Sequence, residues 1–244
     1  MNKKTVWIVL ISMISTTGFS QKSAKEVMDF AKKIDWFGQA SIKIPFSDKT
    51  VYVDPYKLPG NDTPDVVFIT HSHGDHLDVN EIAKLNGNNV LIVAPETCEG
   101  KLREGGFDNM VLVKPGDEFD LDGIAVKVVP AYNMVKVRYH PKANNWVGYV
   151  LSYDGVSIYH PGDTERIPEM QDIDCDIAFM PLGQTYTMSS VKEAAEAIND
   201  IGPIVAIPFH YGLYEGKVDD AQMFKSLLDG NCDVLIKDLK VSEL

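Results

Sequence analysis

The chain contains few cysteines: Cys98, Cys175 and Cys232 are the whole set in 244 residues. A sparse, odd number rules out a disulfide framework, although one pair could still bridge. None of the three lies beside the histidine-rich loop described below, so thiolate ligation is not expected there. Basic residues are outnumbered, with 23 lysines and arginines against 35 aspartates and glutamates and a formal charge of −12. Nucleic-acid affinity comes largely from cations that release counterions from phosphates, so nucleic acid and anionic membranes are not expected partners. Apolar runs of membrane-spanning length are also lacking. The longest, from about Val6 to Ile14, follows Lys3 and Lys4 and precedes small or polar residues, which is the order of a secretory signal peptide.

Residues 1–20 are therefore expected to be a signal peptide, with cleavage after Ser20 or Ala24 and a periplasmic or secreted product. An uncleaved anchor or a buried helix is the alternative. Losing Lys3 and Lys4 leaves 21 basic against 35 acidic residues, a net charge of −14, and charge of this sign favours solubility. With no repeat, low-complexity block or linker in view, residues 21–244 are expected to form a single domain with no membrane association after cleavage.

Within that domain, "KSAKEVMDFAKKI" (22–34) puts Val27, Phe30, Ala31 and Ile34 on one helical face. Short runs of strand length follow: "ASIKI", "TVYV", "DVVFIT", "NVLIVA", "MVLV", "IAVKVV", "WVGYVL", "VSIYH", "DIAFM" and "IVAIPF". Helices are expected near 79–86, 96–105, 190–200 and 219–229, the third with a capping box of Ser190 and Glu193. Many strands are continuously apolar, as expected for sheets covered on both faces. Two such sheets with helices outside make an α/β sandwich in layers.

The histidines are concentrated. "THSHGDHLD" (70–78) holds three of the six in the chain, with two aspartates. His71, His73, Asp75 and His76 are metal ligands when imidazole is neutral and carboxylate ionised. "DVVFIT" leads into His71, "IAVKVVPAY" into Asn133, "VSIYH" into Asp163 and "IVAIPF" into His210. Loops at strand ends are where a rigid scaffold converges side chains from distant positions. A dinuclear hydrolytic site needs three or four ligands per ion, a bridging anion and room for water. His71 and His73 suit one ion, Asp75, His76 and His210 the other, and Asp163 the bridge.

"HSHGDH" resembles the His-x-His-x-Asp-His signature of the metallo-β-lactamase superfamily, and "PGDT" and "PFHYG" resemble its later aspartate and histidine motifs. From Trp36 to the "FHYG" at 209–212 the chain is similar to the small single-domain branch that includes L-ascorbate-6-phosphate lactonase. The resemblance implies a four-layer αββα sandwich with two divalent metal ions, zinc in the first instance and manganese or iron as alternatives. It implies a hydrolase in which a metal-bound hydroxide cleaves an ester, lactone or phosphoester of a small molecule, with Asp75 ligating the second ion and orienting the hydroxide. Flavodiiron redox members carry an acidic residue at the place of His73, which favours hydrolysis over electron transfer.

The sequence departs from the pattern at one point. Where most members have a middle histidine ligand, this chain has Asn133 in "VPAYNM", with His140 seven residues on. The ligand is expected to be His140 on one reading and Asn133 or water on the other; an unfilled place would suit a non-catalytic ligand-binding protein. Asp54 is expected to support a ligand histidine or simply to form a turn, and His160 to be structural. "GQTYTMSS" (183–190) offers backbone N–H groups around Thr185, Tyr186 and Thr187 to an anionic substrate and the Tyr186 hydroxyl to a developing oxyanion, or else only caps the helix. The aromatics around "NNWVGYV" read as core.

Overall fold

A computed structural model describes residues 22–240. The expected signal peptide lies outside the described residues. Among the described residues, thirteen strands form two sheets. The first is β1 (Asp35–Gly38), β2 (Ser41–Pro45), β3 (Thr50–Val53), β4 (Val66–Phe68), β5 (Leu91–Pro95) and β6 (Met110–Val113), side by side in that order. The second is β7 (Glu118–Leu121), β8 (Ile124–Pro130), β9 (Val147–Tyr153), β10 (Val156–His160), β11 (Ile177–Pro181), β12 (Val205–Phe209) and β13 (Asp233–Val234), likewise in chain order. Each sheet begins antiparallel and becomes parallel, from β3 onward in the first and from β10 onward in the second.

Alternation along the strands explains the continuous apolar runs. In β4 and just beyond it, Val66 and Phe68 belong to the core between the sheets. Their neighbours Val67 and Ile69 join a second core beneath α2 (Val79–Ala83) and α3 (Glu99–Glu104). Successive side chains point to opposite faces, so a strand covered on both is apolar throughout. On the far side, α4 (Val191–Ile201) packs on β11 and against α5 (Val218–Leu227). The arrangement is the αββα sandwich. Coverage is incomplete at one edge, where β7 alternates exposed with half-buried residues and most of β8 alternates buried residues with exposed ones such as Ala125 and Lys127.

All ten expected strand segments are strands. The sequence reading missed β1, β7 and β13, each of four residues or fewer. The first helix, α1 (Ala24–Ala31), is shorter than the 22–34 pattern and starts at a Ser23–Glu26 capping box. At α4 the Ser190 hydroxyl accepts from Glu193 N–H, but the Glu193 carboxylate accepts from Ser189 N–H and not from Ser190, so half the expected box is made. The three cysteines are free. No helix among the described residues is long and apolar enough to cross a membrane.

Candidate metal centre

The site is assembled at one end of the sandwich from loops that leave both sheets. Asp54, at the end of β3, is fully buried and sits in the left-handed region at φ 47°. Its carboxylate accepts from Thr70 N–H at 2.8 Å and from the Thr70 hydroxyl at 2.6 Å. That hydroxyl has one proton, so toward His71 Nδ1, 3.0 Å away, it acts as acceptor. His71 Nδ1 then carries the hydrogen and Nε2 keeps its lone pair. Asp54 Oδ2 also faces His76 Nδ1 at 2.7 Å, which fixes His76 in the same sense. One buried carboxylate thus orients two imidazoles, the role that outer carboxylates play at metal-binding histidines.

The remaining side chains arrive from the second sheet. His140 comes from the loop between β8 and β9, Asp163 from the turn after β10, and His210 from the end of β12 at φ 57°. Three groups of donor atoms are each mutually within 4.8 Å: His71, His73 and His140; His71, His76 and Asp163; and Asp75, His76 and His210. His71 Nε2 lies 3.0 Å from His73 Nδ1. Asp163 presents Oδ2 to His140 Nε2 at 3.3 Å and Oδ1 to His76 Nε2 at 3.3 Å and His210 Nε2 at 3.1 Å. His76 Nε2, His140 Nε2 and Asp163 Oδ1 are buried without a hydrogen-bond partner among the described residues. Neighbouring ligand atoms of a tetrahedral zinc ion, with bonds of about 2.0–2.1 Å, lie about 3.3 Å apart. Inward-facing lone pairs at that spacing are able to hold metal ions.

The electrostatics agree with that geometry. Burial disfavours the Asp163 carboxylate, yet the charges of His210 and His76 hold it well below the usual carboxylate range. Burial also opposes protonation of His76 and His210. Asp163, Asp75 and Asp54 nonetheless raise His76 well above its ordinary value, and Asp163 with Glu215 pushes His210 up to about 10. His71 and His73 go the other way, lowered by burial and by neighbouring imidazoles. The pocket demands positive charge near Asp163 and neutral imidazole at His71 and His73, which a metal ion satisfies as well as protons do.

His71, His73, Asp75, His76, Asp163 and His210 are thus brought together, as is His140, which completes the first group. Asn133 stands beside it, its amide nitrogen 3.4 Å from His140 Nδ1 and donating to Tyr186 O at 2.7 Å and Lys136 O at 3.2 Å. His160 is held by the backbone, with Nε2–H donating to Ala40 O and Nδ1 accepting from Gly162 N–H. The backbone amides of Thr185 and Tyr186 are not open to an anionic substrate. Both donate to Glu215 Oε2, at 2.9 and 2.8 Å, so that expectation is corrected. The Tyr186 ring does reach the cavity above the donors. This space of about 680 Å³ is lined by Gln39, Tyr56, Tyr139, Tyr186 and Tyr214 together with His73, Asp75, His140, Asp163 and His210.

Several contributors were missed in the sequence. Gln39 is buried at the β1–β2 turn, in the left-handed region, and donates from Nε2 to Asp75 Oδ2 at 3.0 Å. Trp146, expected as core, is buried, but its ring is also a wall of the site, with centroids 4.7, 4.8 and 5.4 Å from those of His71, His73 and His140. Glu215 faces His210. Glu165, two residues after Asp163, accepts the N–H groups of Met134, Val135 and Lys136 at 2.7, 2.6 and 3.0 Å. No local pattern marks these residues, because their partners are distant in sequence.

Residues 33–210 match the beta-lactamase superfamily domain. A UPF0173 metal-dependent hydrolase of Methanopyrus kandleri is 32% identical over 209 residues, 79% of this chain and 90% of its own. Its counterpart in Thermoplasma acidophilum is 35% identical over 210 residues, 80% of this chain and 90% of its own. A crystal structure from Parabacteroides distasonis, described as that of a metal-dependent hydrolase, superposes with a TM-score of 0.74 at 34% identity, over 85% of this chain and 93% of that one. Taken with the sandwich and the three groups of donors, these similarities place the chain in the metallo-β-lactamase superfamily as a metal-dependent hydrolase related to the UPF0173 group.

Proposed function

We propose that this chain is an exported hydrolase that uses two divalent ions, zinc by preference, to cleave an ester, lactone or phosphoester of a small molecule. The observation that carries the reading is the meeting of five histidines and two aspartates from both sheets, with buried lone pairs facing one another at ligand spacing. His71, His73 and His140 would hold one ion, Asp75, His76 and His210 the other, and Asp163 both. Paired ions, when bound, supply Lewis acidity and lower the pKa of water.

The other steps belong to the chain. Asp75 lines the cavity and its side chain is 27% exposed, against 4% for Asp163, so it can face both the ion site and incoming water. Its carboxyl is burdened by burial but held below its ordinary value by His76, and it remains an acceptor at neutral pH. Gln39 keeps Asp75 aimed. Tyr186, at the mouth, is the candidate donor to the developing oxyanion. A tyrosine-lined cavity suits a small molecule, and the acidic charge of the chain argues against nucleic acid. The non-catalytic alternative relied on a missing middle histidine, and the grouping of His140 with His71 and His73 supports the hydrolytic reading over it.

The test is a screen of aryl esters, lactones and bis(p-nitrophenyl) phosphate with protein loaded with zinc, manganese or iron, alongside metal analysis. About two equivalents of metal and turnover of at least one class are expected, with an at least hundredfold loss in both His71→Ala and His76→Ala. A chromogenic cephalosporin should be a poor substrate, in keeping with the lactonase-like resemblance. Inactivity on every class with metal bound would overturn the hydrolytic reading. The N-terminal sequence of the protein recovered outside the cytoplasm tests export and should begin near Gln21 or Lys25.

A further inference from the structure

The backbone of Tyr186 touches both halves of the site. Its N–H donates to Glu215 Oε2 at 2.8 Å, beside the N–H of Thr185 at 2.9 Å. The other oxygen of that carboxylate, Oε1, is 3.0 Å from His210 Nδ1, within hydrogen-bonding distance though off the ideal line. Both atoms are buried and neither has another partner among the described residues. On the opposite side, the Tyr186 carbonyl accepts from Asn133 Nδ2 at 2.7 Å and lies 3.2 Å from His140 Nδ1. A carbonyl can only accept, so His140 Nδ1 carries the hydrogen there and Nε2 is left with a lone pair facing Asp163. The chain from His210 through Glu215 and the Tyr186 residue to His140 therefore joins one donor group to the other, and its middle member carries the ring at the cavity mouth.

The packing around Glu215 is specific to this carboxylate. Its side chain is fully buried, and a Cβ placed on Gly183 would come within 1.9 Å of Oε1 and 2.1 Å of Cδ. Gly216, at φ 64°, lets the chain pass Tyr211 and the Leu182 carbonyl, where a Cβ would sit at 2.8 and 2.9 Å. Both carboxylate oxygens face donors: two backbone N–H groups at one and an imidazole N–H at the other. A carboxamide would turn its own N–H₂ toward one of those donors, so Gln cannot reproduce both links.

We infer that Glu215 is a positioning residue that couples occupancy of the metal site to the placement of Tyr186, so that the 183–188 loop is ordered when the ions are bound. The inference rests on the metal-site reading above but not on any substrate. A cation on His210 Nε2 would fix the ring with Nδ1–H as its one hydrogen, aimed at Glu215, and so hold the carboxylate in place on the two loop amides. A cation on His140 Nε2 acts likewise through Nδ1–H on the Tyr186 carbonyl. The loop is thus gripped from both sides by the histidines that hold the ions.

The experiment is amide hydrogen exchange on the full chain with and without zinc alone, combined with zinc titration of wild type and Glu215→Gln. In the wild type, zinc should slow exchange at Thr185 and Tyr186 at least tenfold. Glu215→Gln should lose most of that protection and bind the second zinc about 10–100-fold more weakly, the usual cost of removing an outer partner of a ligating histidine. Where the hydrolytic screen yields a substrate, kcat should fall more than KM rises, because the displaced group is Tyr186, the candidate donor to the developing oxyanion. Unchanged exchange in the wild type on zinc addition overturns the coupling, and that measurement needs no variant. Zinc affinity of Glu215→Gln within twofold of wild type overturns the role of Glu215. Zinc-dependent protection in a protein that hydrolyses nothing would sink the hydrolase reading and leave the coupling standing.

Discussion

At the residue scale, hydrogen-bond bookkeeping decides which imidazole nitrogens face inward. Thr70 passes the orientation of His71 to Asp54, Asp54 fixes His76, and carbonyl or carboxylate partners fix His140 and His210. His140 and Asn133 have different duties in this scheme. His140→Ala should remove metal from the first group, visible as a loss of about one equivalent by metal analysis and a drop of at least a hundredfold in turnover. Asn133→Ala should keep both equivalents and should instead loosen the turn through Lys136, whose carbonyl accepts from the Asn133 amide nitrogen. Equal metal loss in the two variants would make Asn133 a ligand. The histidines in the "HSHGDH" stretch were legible in sequence because the motif is local. His140 was legible only as one of two options, because the seven-residue loop that returns it to the site has no periodic signature. Glu215, Glu165 and Gln39 were illegible, since a lone polar residue in a loop reads the same whether it faces water or a buried imidazole.

At the element scale, strand ends set positions that side chains then refine. Gly148 in β9 lies under the turn that carries Asp163, and a Cβ there would meet the carbonyl oxygens of His160 and Pro161 at 2.8 Å. Both obstacles are backbone, so they yield only if the turn shifts. Gly148→Ala should cost about 1–3 kcal/mol in urea denaturation, the usual range for overpacking. It should also weaken zinc binding by moving Asp163, whereas an equal loss of stability with zinc affinity retained would show that the turn absorbs the strain. Many of the ten apolar runs could be placed because burial on both faces leaves them uninterrupted, whereas β8 was read through its exposed Ala125 and Lys127. β7, with its exposed and half-buried residues, and two-residue β13 lack that mark and were invisible.

At the scale of the whole molecule, proton and metal compete for one pocket. His76 is raised well above its ordinary value and His210 to about 10, so both hold protons near neutrality without a metal. The stability these two give the metal-free chain is fully present below an unfolded value of about 6.5 and is lost as pH rises through their folded values. Metal binding works in the opposite sense because the ligands must be deprotonated. Zinc addition at pH 7.5 should therefore release at least one proton per chain, measurable by calorimetry in buffers of differing ionisation enthalpy. The rise in melting temperature on zinc addition should grow between pH 6 and pH 9. Release of no proton would mean that the ions bind elsewhere.

Each group of donors also draws on both sheets, with residues 71–76 from the first and 140, 163 and 210 from the second. Ions held there would act as cross-links between halves of the chain more than 60 residues apart in sequence, where no disulfide does so. Such a closure restricts the unfolded ensemble only while metal is present. Chelation should then leave the two sheets folded but let their loops part at that edge, so that limited proteolysis cuts first in 133–140 and 183–188. A thiol reductant, by contrast, should change nothing.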